Sequence, residues 1–510
     1  MSRLTRRQLM KGALGAGGAI TAAACSKSFG QIIGANDDIR VAVIGLHGRG
    51  NPHSMTLQAV KGFRLVALCD VDPKVLGQAG EKYGKDLKAF ADVRKLLERK
   101  DIDAVTVATP SHWHSLISIW ACQAGKDVYV EKPLSHNVWE GRQLLQAARK
   151  HDRIVQHGTQ ARANPDIIEA REWIRAGQLG KPRYVYGMCH KPRLSIGNEG
   201  KGKIPAGLDY DLWTGPAPMK PLARKKLHYD WNWVYDNGVG DIGNQAIHEV
   251  DLARWFLGYE GIAPRVISIG GRLGYDDDGE TPNTQLIYFD YDGPSIVFEV
   301  RGLPKSARYH APDTAWRDNM DVPPGFNGPW GIGMTLVCEG GRLIIEEGNT
   351  DYPTPGGYVV TAADPQGKTI RRFAQFEQPG ISWQKGDAYA FGSWQKAIRS
   401  RKSDDLTADV LEGHISSTMC HAAMISHRIG KTRPSGEILE EIKGNAMIAS
   451  HFESVKDHLE RNGVDVASPK ITLGPWLTMD VAAERFVDNA AANALLSRPY
   501  RKPYVVPESV

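Results

Sequence analysis

The stretch that most constrains this chain is Ile39-Arg40-Val41-Ala42-Val43-Ile44 running into Gly45-Leu46-His47-Gly48-Arg49-Gly50. A nearly unbroken apolar run of that length is a strand buried on both faces, the kind found in parallel sheets whose strands return through helices. Glycines at such a strand's end let backbone N–H groups close on a pyrophosphate at the next helix's N-terminus. The spacing, Gly-x-x-Gly-x-Gly, is a variant of the usual one, and a plain turn could carry it too. A second run, Phe63 to Cys69, ends in Asp70, 25 positions after Gly45, where a carboxylate meets adenosine ribose hydroxyls. Asp70 repels a 2′-phosphate and Val71-Asp72 brings no arginine, so NAD is expected over NADP.

The alternation continues downstream. Residues 93–99 read as a helix and 104–108 as a strand ending in Thr109-Pro110-Ser111-His112-Trp113-His114. Residues 115–124 read as a helix, and 127–130 as a strand delivering Glu131-Lys132-Pro133. Every motif then stands at a strand's carboxyl end, the rim where open parallel sheets bind ligands. Pro133 keeps Lys132 extended and aimed, although Glu-Lys before a turn is by itself more often a solvated ion pair. A helix at 138–151 and a strand at 154–156 complete this unit. Strand-like runs at 266–270, 285–291, 296–301, 335–339 and 342–345 then predict a mostly antiparallel open sheet flanked by helices on one face. The fold class is α/β plus α+β. The segment 304–330, dense in Pro, Gly and Asp, reads as a long loop, and 497–504 as an arm lying on the body or on a neighbouring subunit.

Composition excludes several classes. With 42% hydrophobic and 24% charged residues in 510, the chain is globular and long enough for two domains. The N-terminus carries Arg3, Arg6, Arg7 and Lys11 without an acid, then an apolar Gly/Ala stretch, and reads as a cleavable twin-arginine export signal. Ala22-Ala23-Ala24-Cys25 allows cleavage after Ala24 or lipid attachment to Cys25. Within a net charge of +5 that segment holds most of the excess, so the remainder gives no electrostatic case for nucleic acid. The other cysteines, Cys69, Cys122, Cys189, Cys338 and Cys420, stand singly and read as buried small hydrophobes; no metal site is expected. No further stretch is apolar enough to span a membrane. The expected plan is signal 1–24, linker 25–37, nucleotide domain 38–157, sheet-rich domain 158–460 and C-terminal extension 461–510.

Residues 240–255 form a helical pattern in which Asp241, Asn244, His248 and Asp251 fall at i, i+3, i+7 and i+10. That spacing marks a core stripe, yet the stripe is polar, so it is either solvated or lines a buried polar cavity. A core histidine satisfied by Asp251 or a backbone carbonyl fits the pattern as well.

The glycine turn, Asp70, Thr109-Pro110 with His114, Glu131-Lys132-Pro133 and the late helix with His248, in this order, resemble the Gfo/Idh/MocA family, the glucose–fructose oxidoreductase and inositol dehydrogenase group. The resemblance implies a Rossmann domain joined to a sheet-rich domain, a nicotinamide between them, and hydride transfer at a sugar or polyol carbon. It implies that Gly45, His47, Gly48, Arg49, Gly50, Asp70, Thr109, Pro110, His114, Glu131 and Lys132 line the cofactor. Lys132 would also touch substrate, and His248 would move the proton. Asn244 stands where the family commonly has aspartate; it can position a hydroxyl but cannot accept its proton, which leaves Lys132 and His248, with Asp241 as a substitute carboxylate on the same face. Arg162, Tyr186, His190, Lys191, Trp231 and Trp233 are the substrate-facing candidates, because aromatic and hydrogen-bonding groups suit a sugar's two faces. Residues 209–216 and 240–245 resemble exported members, so an exported or periplasmic sugar oxidoreductase with retained NAD is expected. An NAD-dependent glycosidase working by transient C3 oxidation is the alternative, and a homo-oligomer is expected in either case.

Overall fold

The computed structural model describes residues 38–198, 202–224, 226–310, 320–322, 331–348, 357–374 and 384–510. The expected signal with Cys25, and most of the loop 304–330, lie outside the described residues.

The first domain is a six-stranded parallel sheet of β1 (Ile39–Ile44), β2 (Phe63–Cys69), β3 (Lys88–Phe90), β4 (Ala104–Val107), β5 (Asp127–Val130) and β6 (Val155–His157). Their order is β3-β2-β1-β4-β5-β6. β1, β4 and β5 are buried almost throughout, which is why they read as continuous apolar runs. β3 is short and exposed at Lys88 and Ala89, and no apolar pattern announced it. The helix after β4 begins at Ser111 rather than 115, capped by the Pro110 turn.

The second sheet holds β7 (Pro182–Cys189), β8 (Arg265–Gly271), β9 (Thr284–Asp290), β10 (Ser295–Arg301), β11 (Ile332–Cys338), β12 (Gly341–Glu347), β13 (Tyr358–Ala363) and β14 (Thr369–Phe373). They run β14-β13-β12-β11-β7-β10-β9-β8, with short strands added beyond β8. Only β7 and β10 pair in parallel among these eight; the other pairs are antiparallel. One face packs on the helices Pro165–Arg175, Ile247–Leu257 and Val410–Arg428. The expectation of helices on a single face is corrected: Ser435–Ile442 and Ala446–Arg461 cover Ile267, Leu286, Tyr288 and Val297 on the other.

The helix expected at 240–255 is two. Gly240–Asn244 ends where the Asp241 carbonyl accepts both Gln245 N–H and Ala246 N–H, and Ile247–Leu257 begins anew. Asp241 and Asn244 therefore sit on one short helix, and His248 and Asp251 on the next.

Late segments finish the first domain. Helix Gln384–Ser400 buries Phe391 and Trp394 against Ile39, Val41, Phe63 and Tyr129. The tail lies on its own body: Tyr504 meets Trp113 at 5.3 Å and donates to Asp211 at 2.9 Å. The cysteines at 69, 122, 189, 338 and 420 are buried and free. No described helix is long and apolar enough to cross a membrane.

Candidate functional site

The carboxyl ends of β1, β2, β4 and β5 open into one cleft, lined by the glycine turn, Asp70, Thr109-Pro110, His114, Glu131, Lys132 and Asn244. Gly45 has φ +84°, and a Cβ there would lie 2.7 Å from the Ala108 carbonyl; one on Gly50 would lie 1.8 Å from the Gly45 oxygen. Around Gly48, by contrast, the space is open. The turn is thus drawn tightly against the sheet with its middle left free, a cradle that fits a pyrophosphate. The Asp70 carboxylate accepts Leu46 N–H at 2.7 Å and Asp72 N–H at 2.9 Å, which fixes it at the rim. Burial raises its pKa against those two bonds. Arg94, beside Asp70 in the same cleft, is held by both oxygens of Asp92. The groups present fit an NAD molecule with free ribose hydroxyls.

Arg49 and Glu131 line the cleft but also brace it from behind. Arg49 donates to Glu131 at 2.8 Å and to Asp387 on the late helix at 2.6 Å, and His53 Nε2 stands 3.0 Å from Glu131. Burial would raise the Glu131 carboxyl, but Arg49 and His53 hold it well below the usual range. The two ring nitrogens of His114 face the carbonyls of Pro133 and Thr109, each at 2.7 Å, tying the β4 and β5 loops together. His47 stacks on His228 at 4.3 Å, and His228 reaches Asp72 at 2.9 Å; nothing in the spacing of the aromatic loop signalled that clasp.

Across the cleft Lys132 donates to the Asn244 backbone carbonyl, at the break between the two short helices. The strand-end lysine and the late helix therefore meet. Burial lowers the Lys132 pKa, with Glu131 pulling it back up. His248, one turn beyond Asn244, is 6% exposed, and burial with the Lys132 charge pushes its pKa down to about 3. Its Nδ1 is buried without a hydrogen-bond partner. His248 is neutral at ordinary pH and has one ring nitrogen open to accept or pass a proton.

The other candidates divide. Asp241 does not stand free as a substitute base: Arg193 grips both its oxygens, at 2.9 and 2.8 Å, and Asn244 Nδ2 adds a bond of 3.3 Å. Arg193, missed in the sequence, also donates to the Tyr229 hydroxyl at 3.0 Å. Lys191 lies in the same field, its pKa lowered by burial and by Arg193. Trp231 lines the cleft, whereas Trp233 is buried beneath Arg193, 5.4 Å away. Three assignments are corrected. Arg162 is buried in a fork on Asp251, 2.7 and 3.0 Å, and pairs with Glu412. Tyr186 and His190 face the far side of the sheet, where Tyr186 packs on His451 and His190 on Asp321 and Glu299. Two further carboxylates went unread: Glu249, fully buried with both oxygens unpartnered, and Glu347, which accepts from Gln245 at 3.3 Å. Burial, and then Glu347, raises the Glu249 carboxyl well above the usual range.

Residues 39–159 match the model of the Gfo/Idh/MocA oxidoreductase family's NAD-binding Rossmann fold, and 195–314 match that of its C-terminal α/β domain. Both domain models of the Gfo/Idh/MocA oxidoreductase family therefore find a match in this chain, in the family's order. A myo-inositol 2-dehydrogenase of Thermotoga maritima is 28% identical over 222 residues, 44% of this chain and 56% of the relative. A glycosyl hydrolase family 109 protein of Shewanella sp. (strain ANA-3) is 28% identical over 204 residues, 36% and 45% of the two chains. The chain thus spans about half the length of the curated relatives it matches. Among solved structures, an oxidoreductase domain protein from Kribbella flavida superposes with a TM-score of 0.54 at 20% identity, covering 76% of this chain and 96% of that one. The solved structure shares the two-sheet fold, and the first domain matches an NAD-binding Rossmann fold.

Proposed function

We propose that this protein is an exported, NAD-dependent oxidoreductase acting on a CH–OH group of a sugar, polyol or glycoside. The observation that carries the reading is the reach of Lys132 from the end of β5 to the Asn244 carbonyl, one turn before His248, above a cleft floored by the glycine turn. Bound NAD supplies the hydride acceptor in this chemistry. A substrate hydroxyl entering between Lys132 and His248 meets an ammonium that orients its oxygen and a neutral imidazole that takes its proton. Asn244 positions and does not titrate. Thr109, Pro110 and His114 keep the loop beside Lys132 in place.

The basic, acid-free N-terminus motivates the export proposal, with or without a lipid on Cys25. Free cofactor is scarce outside the cytoplasm, so the nucleotide is folded in and retained. Denaturing extraction of purified protein is expected to release NAD; a nucleotide-free, fully folded preparation sinks this part.

The glycosidase reading draws on the family 109 relative. In that reading the C3 hydroxyl would be oxidised, the acidified C2 proton removed, the aglycone released, water added and the hydride returned, with no net redox. A glycoside panel read by mass spectrometry separates the two. A loss of two hydrogens that depends on an electron acceptor marks the dehydrogenase; aglycone released without one marks the glycosidase. Turnover of neither kind across sugars, polyols and glycosides overturns the proposal.

A further inference from the structure

A second cavity, of about 110 Å³, lies behind the cleft and shares none of its lining residues. One wall is His136 and Asn137, just beyond Lys132-Pro133; another is Gly238 and Val239, just ahead of the helix bearing Asn244; the tail closes it with Ser497 and Arg498. The groups around it include polar atoms left without partners; burial and the Arg498 charge keep the His136 ring neutral, so it offers one N–H donor. Both ring nitrogens of His136 are sealed from solvent and make no hydrogen bond; the Tyr235 carbonyl lies toward the ring but outside hydrogen-bond geometry. Arg498 is anchored by one arm, Nη1 donating to the Asp236 carbonyl at 2.7 Å. Its Nε and Nη2, the edge that forks onto an oxyanion, are buried and unbonded.

Charges nearby do not consume that edge. Glu140 Oε1 pairs with Nη2 across 3.4 Å without forming a hydrogen bond, and Glu140 already accepts the His136 backbone N–H at 3.1 Å and Asn137 Nδ2 at 3.0 Å. Asp236 is paired with Lys220 at 2.5 Å. Arg428 lies over the Tyr235 ring at the same cavity, and His421 lines it. Leaving such donors buried and unsatisfied costs about 1–3 kcal/mol each, and an anion offsets the Arg498 charge as well, which neutral water does not. An oxyanion has lone pairs for them all.

We propose that this cavity binds a small oxyanion, a carboxylate or phosphate group, on the Nε–Nη2 edge of Arg498 and the ring of His136. The cavity is large enough for a group of a few heavy atoms, and the occupant joins the tail to the two segments that carry Lys132 and Asn244.

The test uses the full chain saturated with NAD, so that the pyrophosphate cradle is filled. Inorganic phosphate and acetate are titrated calorimetrically, with sodium chloride at matched ionic strength as the reference. One saturable site per chain is expected, with affinity falling at least about tenfold in Arg498→Gln, as loss of a charge-assisted bidentate contact requires. Binding of phosphate alone assigns a tetrahedral group; binding of acetate assigns a carboxylate. Because Arg498 also holds the Asp236 carbonyl, a crystal of the unaltered protein soaked in selenate supplies a second readout, an anomalous peak beside Arg498 and His136. No saturable heat with either anion and no peak overturns the site, as does equal affinity in a folded Arg498→Gln protein.

Discussion

Two buried polar groups of the second domain lie a few residues apart in sequence and are built oppositely. Around Asp251, Arg162 and Ser416 fill both carboxylate oxygens, and Arg162 and Arg254 share Glu412. Around His248, one turn past the cleft residue Asn244, Nδ1 has no partner, and neither oxygen of the adjacent Glu249 has one. A buried network that exists to hold the fold closes on itself, because each open donor or acceptor costs free energy. A group of open valences at a cleft is a site waiting for something to complete it.

That contrast can be broken most decisively by mutation. Lys132→Ala and His248→Gln are expected to cut turnover by roughly 10²–10⁴, the usual contribution of a positioned acid or base, while the thermal midpoint stays near wild type. Asp251→Ala should do the reverse. Stranding buried Arg162 costs about 3–5 kcal/mol in a denaturant titration, with kcat per folded molecule unchanged. If Asp251→Ala kills turnover in a stable protein, the division between the two groups fails.

Acid should sharpen it next. Burial leads the causes that lower His112, His248 and His421 to about 3, and His157, His427 and His458 to about 4. The unfolded chain takes up these protons as pH falls through about 6.5 while the folded chain does not, so stability is lost as pH falls from there toward 4, by up to about 1.4 kcal/mol per pH unit for each histidine. Calorimetric midpoints should drop across that window. The kcat profile of the folded enzyme, in contrast, should show no limb near 6.5, because His248 stays neutral; a limb there would contradict its role as a buried base. At the alkaline end, a limb below the ordinary lysine range is expected from Lys132.

The smallest effect concerns substrate contacts. Trp231→Ala should raise KM by about fivefold, the scale of one aromatic contact, and Tyr186→Phe should change neither KM nor kcat.

Much of this was legible because it was local. Asp70 and Lys132 each close a strand whose burial shows in its own apolar run, so their common rim follows from parallel-sheet topology. The misplaced residues depended on parity. Val185 and Cys189 belong to the core that holds Ile247 and Val250, while Tyr186 packs with the far-side cluster. A one-residue step along a strand therefore decides which face a side chain serves, and nothing in isolated aromatic or basic residues reports that phase. Arg162 failed differently: its partner Glu412 is distant in sequence, and no spacing rule links them. The break after Asn244 arises from hydrogen bonding at the Asp241 carbonyl, which a helical periodicity does not register.

The helix Gln384–Ser400 has a consequence for how the protein is made. Ile39, Val41 and Tyr129 reach the ribosome's exit early, but Phe391 and Trp394, which cover them, are synthesised late, and Tyr504, which packs on Trp113, emerges later still. The nucleotide domain cannot shut its own core as it is translated. For most of synthesis the part of its sheet that Phe391 and Trp394 cover stays bare and within reach of chaperones, and the fold locks only when the chain is nearly finished.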